Sequence, residues 1–191
     1  MPMGATADVR IPMRPITVED YERIVDAGIL GDDDRVELLN GQLSEMSPQS
    51  PEHAGIVQWL TKRLIRGIAD DVAEVRSQLP VRLPPLSVPE PDIAIVPAGV
   101  YTRGHPGELV LVIEIAFSSR RLDLGTKAEI YAAAGVGEYW VIDIPARVVH
   151  VHDAPAGDRY GSCRQVAGGT LRPPVAGAPA IDVDELFALL D

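Results

Sequence analysis

The chain has one cysteine, Cys163, in 191 residues, so no internal disulfide can brace it and the fold must rest on packed side chains. Nothing in that cysteine usage requires an oxidising compartment, and a cytoplasmic location is the expectation. No apolar run approaches the roughly 18 residues needed to span a bilayer, and the opening MPMGATADVR has no apolar signal core. Both membrane insertion and secretion are disfavoured. Positive charge is scarce too: 17 Lys and Arg face 28 Asp and Glu, a net charge of −11. That argues against a protein that simply coats nucleic acid, because phosphate binding draws most of its affinity from cations. The deficit is uneven. Residues 1–50 hold 4 basic and 10 acidic side chains and residues 131–191 hold 4 and 8, whereas residues 51–130 hold 9 and 10. An enzyme whose acidic site uses bound divalent cations also needs less standing positive charge than a binding module does.

What is present fits one globular domain with a real core: 46% of residues are hydrophobic and 24% charged. Residues 1–15 hold three prolines and no periodic pattern, which predicts an extended arm. Thr17 precedes an acidic first turn with Tyr21, Ile24 and Val25 at helical spacing, predicting a short helix that stops near Gly28. In VELLNGQLSEM, Asn40-Gly41 between two apolar-containing runs predicts a hairpin, with Glu37 in its first strand. From Pro51 to Ala69 an amphipathic helix is predicted, with Ala54, Val57, Leu60, Leu64 and Ile68 on one face and Lys62, Arg63 and Arg66 elsewhere. The proline-broken alternation of residues 73–97 suits short strands, some at sheet edges, and Asp92 opens one of them. RVVHVHD reads as a half-exposed strand and YGSCRQVAGGTLRP as a further peripheral one. A loop runs to Pro179, and Asp182 caps a short terminal helix. No internal repeat is evident. Strands and helices mix without a steady alternation, which predicts an α+β fold, a central mixed β-sheet flanked by helices.

The chain is organised around ELVLVIEIAFSSRRLDLGTKAEIYAAAGVGEYWVID, residues 108–143. The apolar run from Leu109 to Phe117 reads as a buried strand, yet Glu114 stands in its middle. A buried carboxylate costs several kcal/mol unless a cation or strong donors compensate it, so Glu114 needs a partner, most simply a metal ion. Asp92 is the first candidate to share it. The two strands are joined by PAGVYTRGHPG, whose Gly104 and Gly107 favour a turn, and antiparallel pairing would set the carboxylates about 5 Å apart at their β-carbons. Two like charges there call for a cation between them, and two carboxylates plus waters suit magnesium or manganese. The ordinary alternative makes Asp92 a turn acid and Glu114 a strand residue paired with an arginine. Glu37 offers a third carboxylate, although a hairpin glutamate more often faces solvent. Lys127 follows Asp123 by four positions on a helical segment that continues through Tyr131 and Ala134 to Gly135, so it can point back at the strand. His53, near the start of the basic helix, could touch phosphate or metal but is more often polar surface. His150 and His152 share a strand face, but with no further cysteine or histidine cluster nearby a zinc site is not expected. Trp140 and Val141 read as sheet core.

Taken together, Pro91-Asp92, Glu114, Ser118-Ser119, Asp123, Lys127, Tyr131, Ala134-Gly135-Val136 and Glu138-Tyr139-Trp140 resemble the Uma2 family (DUF820), of the PD-(D/E)XK nuclease-like superfamily. The resemblance extends back through VELLNGQLSEMSP and His53 and covers about residues 15–155 of a single domain 1–191, leaving the arm in front and a strand and helix extension behind. It implies a restriction-endonuclease-like core and metal-dependent hydrolysis of phosphodiester bonds in nucleic acid, DNA in the first place, leaving 3′-hydroxyl and 5′-phosphate ends. It further implies that Asp92 and Glu114, with Glu37, hold magnesium or manganese, and that Asp92, Glu114 and Lys127 are catalytic. His53, Asp123 and Tyr131 would support the site or touch substrate. The superfamily's lysine two positions after the motif acid is here Ala116; Lys127 stands as its replacement, and small Ala116 leaves room for it. A homo-oligomer is expected by analogy alone. Two other classes stay open: a non-catalytic binding or interaction module on the same fold, which the acidic charge and Ala116 favour, and hydrolysis of some other phosphoester.

Overall fold

Leu111–Ala116 is buried at every position, which a strand achieves only in the middle of a sheet covered on both faces. The computed structural model describes residues 13–31 and 33–191 and places this strand third in a six-stranded sheet. In chain order the strands are β1 (Val36–Leu39), β2 (Gln42–Glu45), β3 (Ala73–Ser77), β4 (Ile93–Pro97), β5 (Leu111–Ala116), β6 (Glu138–Asp143), β7 (Val148–Ala156), β8 (Arg159–Val166), β9 (Thr170–Leu171) and β10 (Ile181–Asp182). The helices are α1 (Val18–Asp26), α2 (Pro51–Gly67), α3 (Arg120–Leu122), α4 (Ala128–Ala133) and α5 (Val183–Ala188), and a π-helical turn, Asp123–Lys127, joins α3 to α4. The large sheet runs β3-β4-β5-β6-β7-β8. All its neighbours are antiparallel except β5 and β6, whose parallel pairing the helical crossover α3–α4 makes possible. The expected mixed sheet flanked by helices is what forms. Residues 1–12, where most of the extended arm is expected, lie outside the described residues.

Alternation along the strands divides the core into two layers. Ile93, Ile95, Ile113, Ile115, Trp140 and Ile142 pack on the side covered by Ile56, Leu60 and Leu64 of α2 and by Leu186 and Phe187 of α5. Ala94, Val112, Ala116, Tyr139 and Val141 pack on the other side, with Ala128, Ile130 and Tyr131 of the α4 segment. Asp182 caps α5 as expected, its Oδ1 accepting from the amides of Asp184 and Glu185 at 2.9 and 3.0 Å. In the α2 prediction, Ala54 is exposed and Ile56 takes its place in the stripe. The first turn borders a cleft rather than the sheet, so burial begins later along the helix. The half-exposed reading of β7 also needs correcting. Val149, His150, Val151 and His152 are all buried, because the apolar layer with α5 takes the valines and α4 packs over the other face; half-exposure begins only at Asp153.

Two local devices bring the hairpin to the sheet's edge. Asn40 and Gly41 have φ of 47° and 77°, the left-handed pair of a two-residue type I′ turn, and a β-carbon on Gly41 would collide with Pro15. Leu38 and Val88 then exchange backbone hydrogen bonds, at 3.3 and 2.8 Å, tying β1 to the segment that leads into Asp92. The neighbouring α1 begins where predicted, with Thr17 Oγ1 accepting from Asp20 N at 3.1 Å. It ends at Asp26, and Gly28 at φ +67° turns the chain away.

Candidate active site

Register puts Asp92 against Glu114. In the antiparallel β4–β5 pair Ile93 faces Ile113, so the next pair outward joins the two acids. They interlock through backbone. Asp92 Oδ2 accepts from Ile115 N at 2.8 Å, and Glu114 Oε2 accepts from Asp92 N at 3.3 Å. His53, in the first turn of α2, places Nε2 3.0 Å from the same Asp92 Oδ2, so with an ionised Asp92 that nitrogen carries the proton. Its Nδ1 is buried with no partner among the described residues. His53 is thus a partly buried companion of Asp92 rather than polar surface.

Lys127 is the hub. Only 5% exposed, it donates from Nζ to Glu114 Oε1 at 3.1 Å and lies 3.2 Å from Glu37 Oε2, so one ammonium bridges two buried carboxylates. Lys127 comes from the π turn, Glu114 from the central strand and Glu37 from the hairpin, which faces inward here because β1 is bonded to residue 88. Tyr131, one turn further along the helix, donates its hydroxyl to Glu114 Oε1 at 3.0 Å. Ala116 lies buried on the same layer as Tyr131 and Ala128 and offers no side chain that competes with the lysine. Glu114 pairs with a lysine, not with an arginine. Asp123, also buried in the π turn, accepts from Ser119 Oγ at 2.5 Å, while its backbone carbonyl accepts from Tyr139 OH at 2.9 Å.

These groups line a cleft with about 160 Å³ of room, in which six carboxylates (Glu37, Glu45, Glu90, Asp92, Glu114 and Asp123) meet Arg35 and Lys127. Glu90 was not singled out from sequence. It sits between Pro89 and Pro91, which hold it extended two positions before Asp92, and that spacing is the signal that sets both acids on one side. Its amide donates to Glu37 Oε2 at 3.1 Å, and burial followed by the Glu37 charge raises its carboxyl above the usual range.

Burial and the excess of negative charge both act on the cleft's ionisable groups. Burial pushes Glu114 well up, Lys127 opposes it, and the charges of Asp92, Asp123 and Glu37 add to it. Burial likewise lifts Asp123 from 3.8 to about 6 against the pull of Lys127 and Ser119. Burial alone would lower Lys127, but Glu114, Glu37 and Asp123 outweigh it and hold the ammonium above its ordinary value. Such a pocket favours a cation.

The donors are hard oxygens, suited to magnesium or manganese. Asp92 Oδ1 accepts no hydrogen bond among the described residues, and Glu114 Oε2 only the 3.3 Å one from Asp92 N, so one oxygen of each cleft-lining carboxylate keeps unused acceptor capacity. Among the described residues no three carboxylate, imidazole or thiolate groups stand together as a ready metal cage, so a cation held here would keep much of its water. The residues fit a hydrated divalent ion.

His150 and His152 lie away from the cleft. His150 Nε2 is 3.5 Å from Asp143 Oδ2, and His152 Nε2 is 3.6 Å from Cys163 Sγ. That sulfur qualifies the expectation of no cysteine nearby, because antiparallel pairing of β7 with β8 sets Cys163 opposite His152. No third ligand joins them among the described residues. Nor is any helix among the described residues long and apolar enough to cross a membrane.

A family model described as "Uma2: Putative restriction endonuclease" matches residues 18–184. Among solved structures, the chain is similar to one from Anabaena variabilis ATCC 29413 described as "a putative nuclease belonging to DUF820". The TM-score is 0.72 at 17% sequence identity, and the match covers 93% of this chain and 100% of that one. At that identity the likeness is one of fold. No curated protein matches the chain.

Proposed function

Since the chain belongs to the Uma2 family, described as restriction endonucleases of the "putative" kind, we propose that it is a cytoplasmic, divalent-cation-dependent endonuclease cutting phosphodiester bonds of nucleic acid, DNA in the first place. The observation that carries this reading is the pairing of Asp92 with Glu114 across β4 and β5, with Lys127 seated on Glu114. Asp92 and Glu114 would hold magnesium or manganese, with Glu37 on the far side of Lys127 as the third acid. When bound, the cation supplies Lewis-acid polarisation of the phosphodiester.

The chain's own residues do the rest. His53 and the amide of Ile115 fix one oxygen of Asp92 and leave the other without a hydrogen-bond partner among the described residues. Lys127 is held as an ammonium, so it serves as a donor and not as a base: it orients the attacking water or stabilises charge on the phosphorane-like centre. Asp123 lines the same cleft as Asp92 and Glu114, and burial lifts its carboxyl to about 6, so we assign it the water's proton. The water oxygen attacks phosphorus as its proton passes to Asp123, the bond from phosphorus to the 3′ oxygen breaks, and that oxygen takes a proton from solvent water, leaving 3′-hydroxyl and 5′-phosphate ends. One observation favours a second reading, a non-catalytic binding module: Lys127 already compensates both Glu114 and Glu37 without a cation.

The test is cleavage of single- and double-stranded DNA and RNA with magnesium, manganese or EDTA, by wild type and by folded Glu114→Gln and Asp92→Ala. Metal-dependent cutting that falls at least 100-fold in both variants is expected. Cutting retained in both variants would remove the assignment, and no cutting by wild type would favour the binding module.

A further inference from the structure

Gln49 lines the acidic cleft. That residue also borders a second groove, with about 340 Å³ of room, which runs between the exposed side of α2 and the end of the edge strand β3. Its polar lining is Gln49, Gln58, Thr61, Lys62, Ser77 and Gln78, and no carboxylate enters it. In a chain of net charge −11 with 28 acidic residues, an acid-free groove that shares Gln49 with the acidic cleft is a distinct surface. Lys62 is one of only two lysines in the chain, the other being Lys127 in the cleft. Gln58 and Lys62, four residues apart, share a face of α2.

The groove's floor is wired to the site. Thr61 Oγ1 donates to Ser77 Oγ at 3.3 Å, Ser77 Oγ donates to the Asp92 carbonyl at 3.2 Å, and Gln78 N donates to that same carbonyl at 3.1 Å. To make its bond Gln78 takes φ +53°, a left-handed conformation that favours glycine or asparagine. Non-glycine positions held in that region cluster where a side chain must be aimed for function.

Taking the nuclease reading as its basis, we infer that this groove carries the nucleic-acid strand on one side of the scissile phosphate. Lys62 meets a backbone phosphate there, and the amides and hydroxyls of Gln58, Thr61 and Gln78 hydrogen-bond phosphate and sugar. The groove reads no bases: its groups suit backbone, which positions without specifying. From His53 to Lys62 the helix advances about 14 Å at 1.5 Å per residue. At about 3.4 Å per nucleotide of a stacked strand, that is a footprint of about four nucleotides beyond the cut. A backbone path lined by one cation and neutral donors also explains how so acidic a protein can hold a polyanion: the substrate is routed where the acids are not.

The experiment measures binding of fluorescent single- and double-stranded DNA oligonucleotides in EDTA, across a salt series, and kcat and KM for their cleavage in magnesium. The proteins are wild type, Lys62→Glu, Lys62→Arg and Gln58→Ala, with Arg164→Glu on the opposite edge strand β8 as the control for net charge. Lys62→Glu should raise both Kd and KM about tenfold beyond the control and leave kcat within twofold. It should also flatten the salt dependence by about one phosphate contact, with Lys62→Arg close to wild type. If wild type cuts DNA and Lys62→Glu matches the Arg164→Glu control in Kd, KM and salt slope, the groove assignment falls while the nuclease reading stands. Binding without cutting by wild type, weakened specifically by Lys62→Glu, keeps the groove and overturns the nuclease reading. If wild type neither binds nor cuts, both are overturned.

Discussion

Glu114 needs a cation-like partner wherever it is read, and the structure answers with Lys127, which serves Glu37 as well. Removing one member of a buried ion pair leaves the others uncompensated, so Lys127→Met should destabilise the protein by about 3–5 kcal/mol in urea denaturation. Adding Glu114→Gln should recover part of that loss, since one stranded charge is then gone; a double variant no more stable than Lys127→Met would show that the network is not coupled as drawn. Asp123 makes a prediction with the opposite logic. Its carboxyl sits near 6 in the fold against 3.8 in the open chain, so the native state keeps a proton that the unfolded state releases between those values. The contribution is full below about pH 4 and is lost as pH rises through about 6. In EDTA the Tm of wild type should therefore fall relative to Asp123→Asn as pH goes from about 4 to about 7. A difference that stays flat or runs the other way would mean that Asp123 is held ionised. The pairing of Asp92 with Glu114 was legible because both flank a glycine-bearing connection that favours antiparallel strands. Glu37 was legible only as an option, since nothing local says that a hairpin glutamate will be folded under residue 88.

Among the elements, the segment carrying Asp123 and Lys127 departs most from its sequence pattern. Spacing of 123, 127, 131 and 134 reads as ordinary α-helix, and the residues of DLGTK give no sign that the hydrogen-bond ring widens by one residue over Asp123–Lys127. Both buried groups line one cleft from this turn. Gly125, within it, has open space where a β-carbon would stand, so it is not kept for packing. Deleting Gly125 should restore α-helical winding and shift Asp123 relative to Lys127 by roughly 30° and one residue's rise. Far-UV circular dichroism should be nearly unchanged while cleavage falls about 100-fold or more, as expected for misplacement of a site on an intact scaffold. Unchanged cleavage would make the π turn incidental. The hairpin, α1, α2 and α5 were readable from their caps and turns because those signals are local. The two-sided burial of β7 was not, because the helix whose layer takes its valines, α5, comes from far along the chain.

At the scale of the molecule, the question is why a chain of net charge −11 gathers six carboxylates into one small cleft. Left alone their like charges repel and oppose folding; a divalent cation converts that repulsion into binding energy, and binding to the folded state alone raises stability by mass action. Magnesium or manganese at about 100 times its Kd should add about 2.7 kcal/mol of stability, seen as a rise in Tm. Part of any such rise would be screening of the overall charge, which every salt provides. A potassium chloride series at matched ionic strength separates the two, and Glu114→Gln, which keeps the net charge within one unit of wild type, supplies the second control. A Tm rise specific to the divalent ion and lost in Glu114→Gln would place the ion at the Asp92 and Glu114 pair. An equal rise with potassium chloride, or one that survives in Glu114→Gln, would mean that Lys127 alone satisfies the cleft, and the metal-dependent mechanism would fall with it.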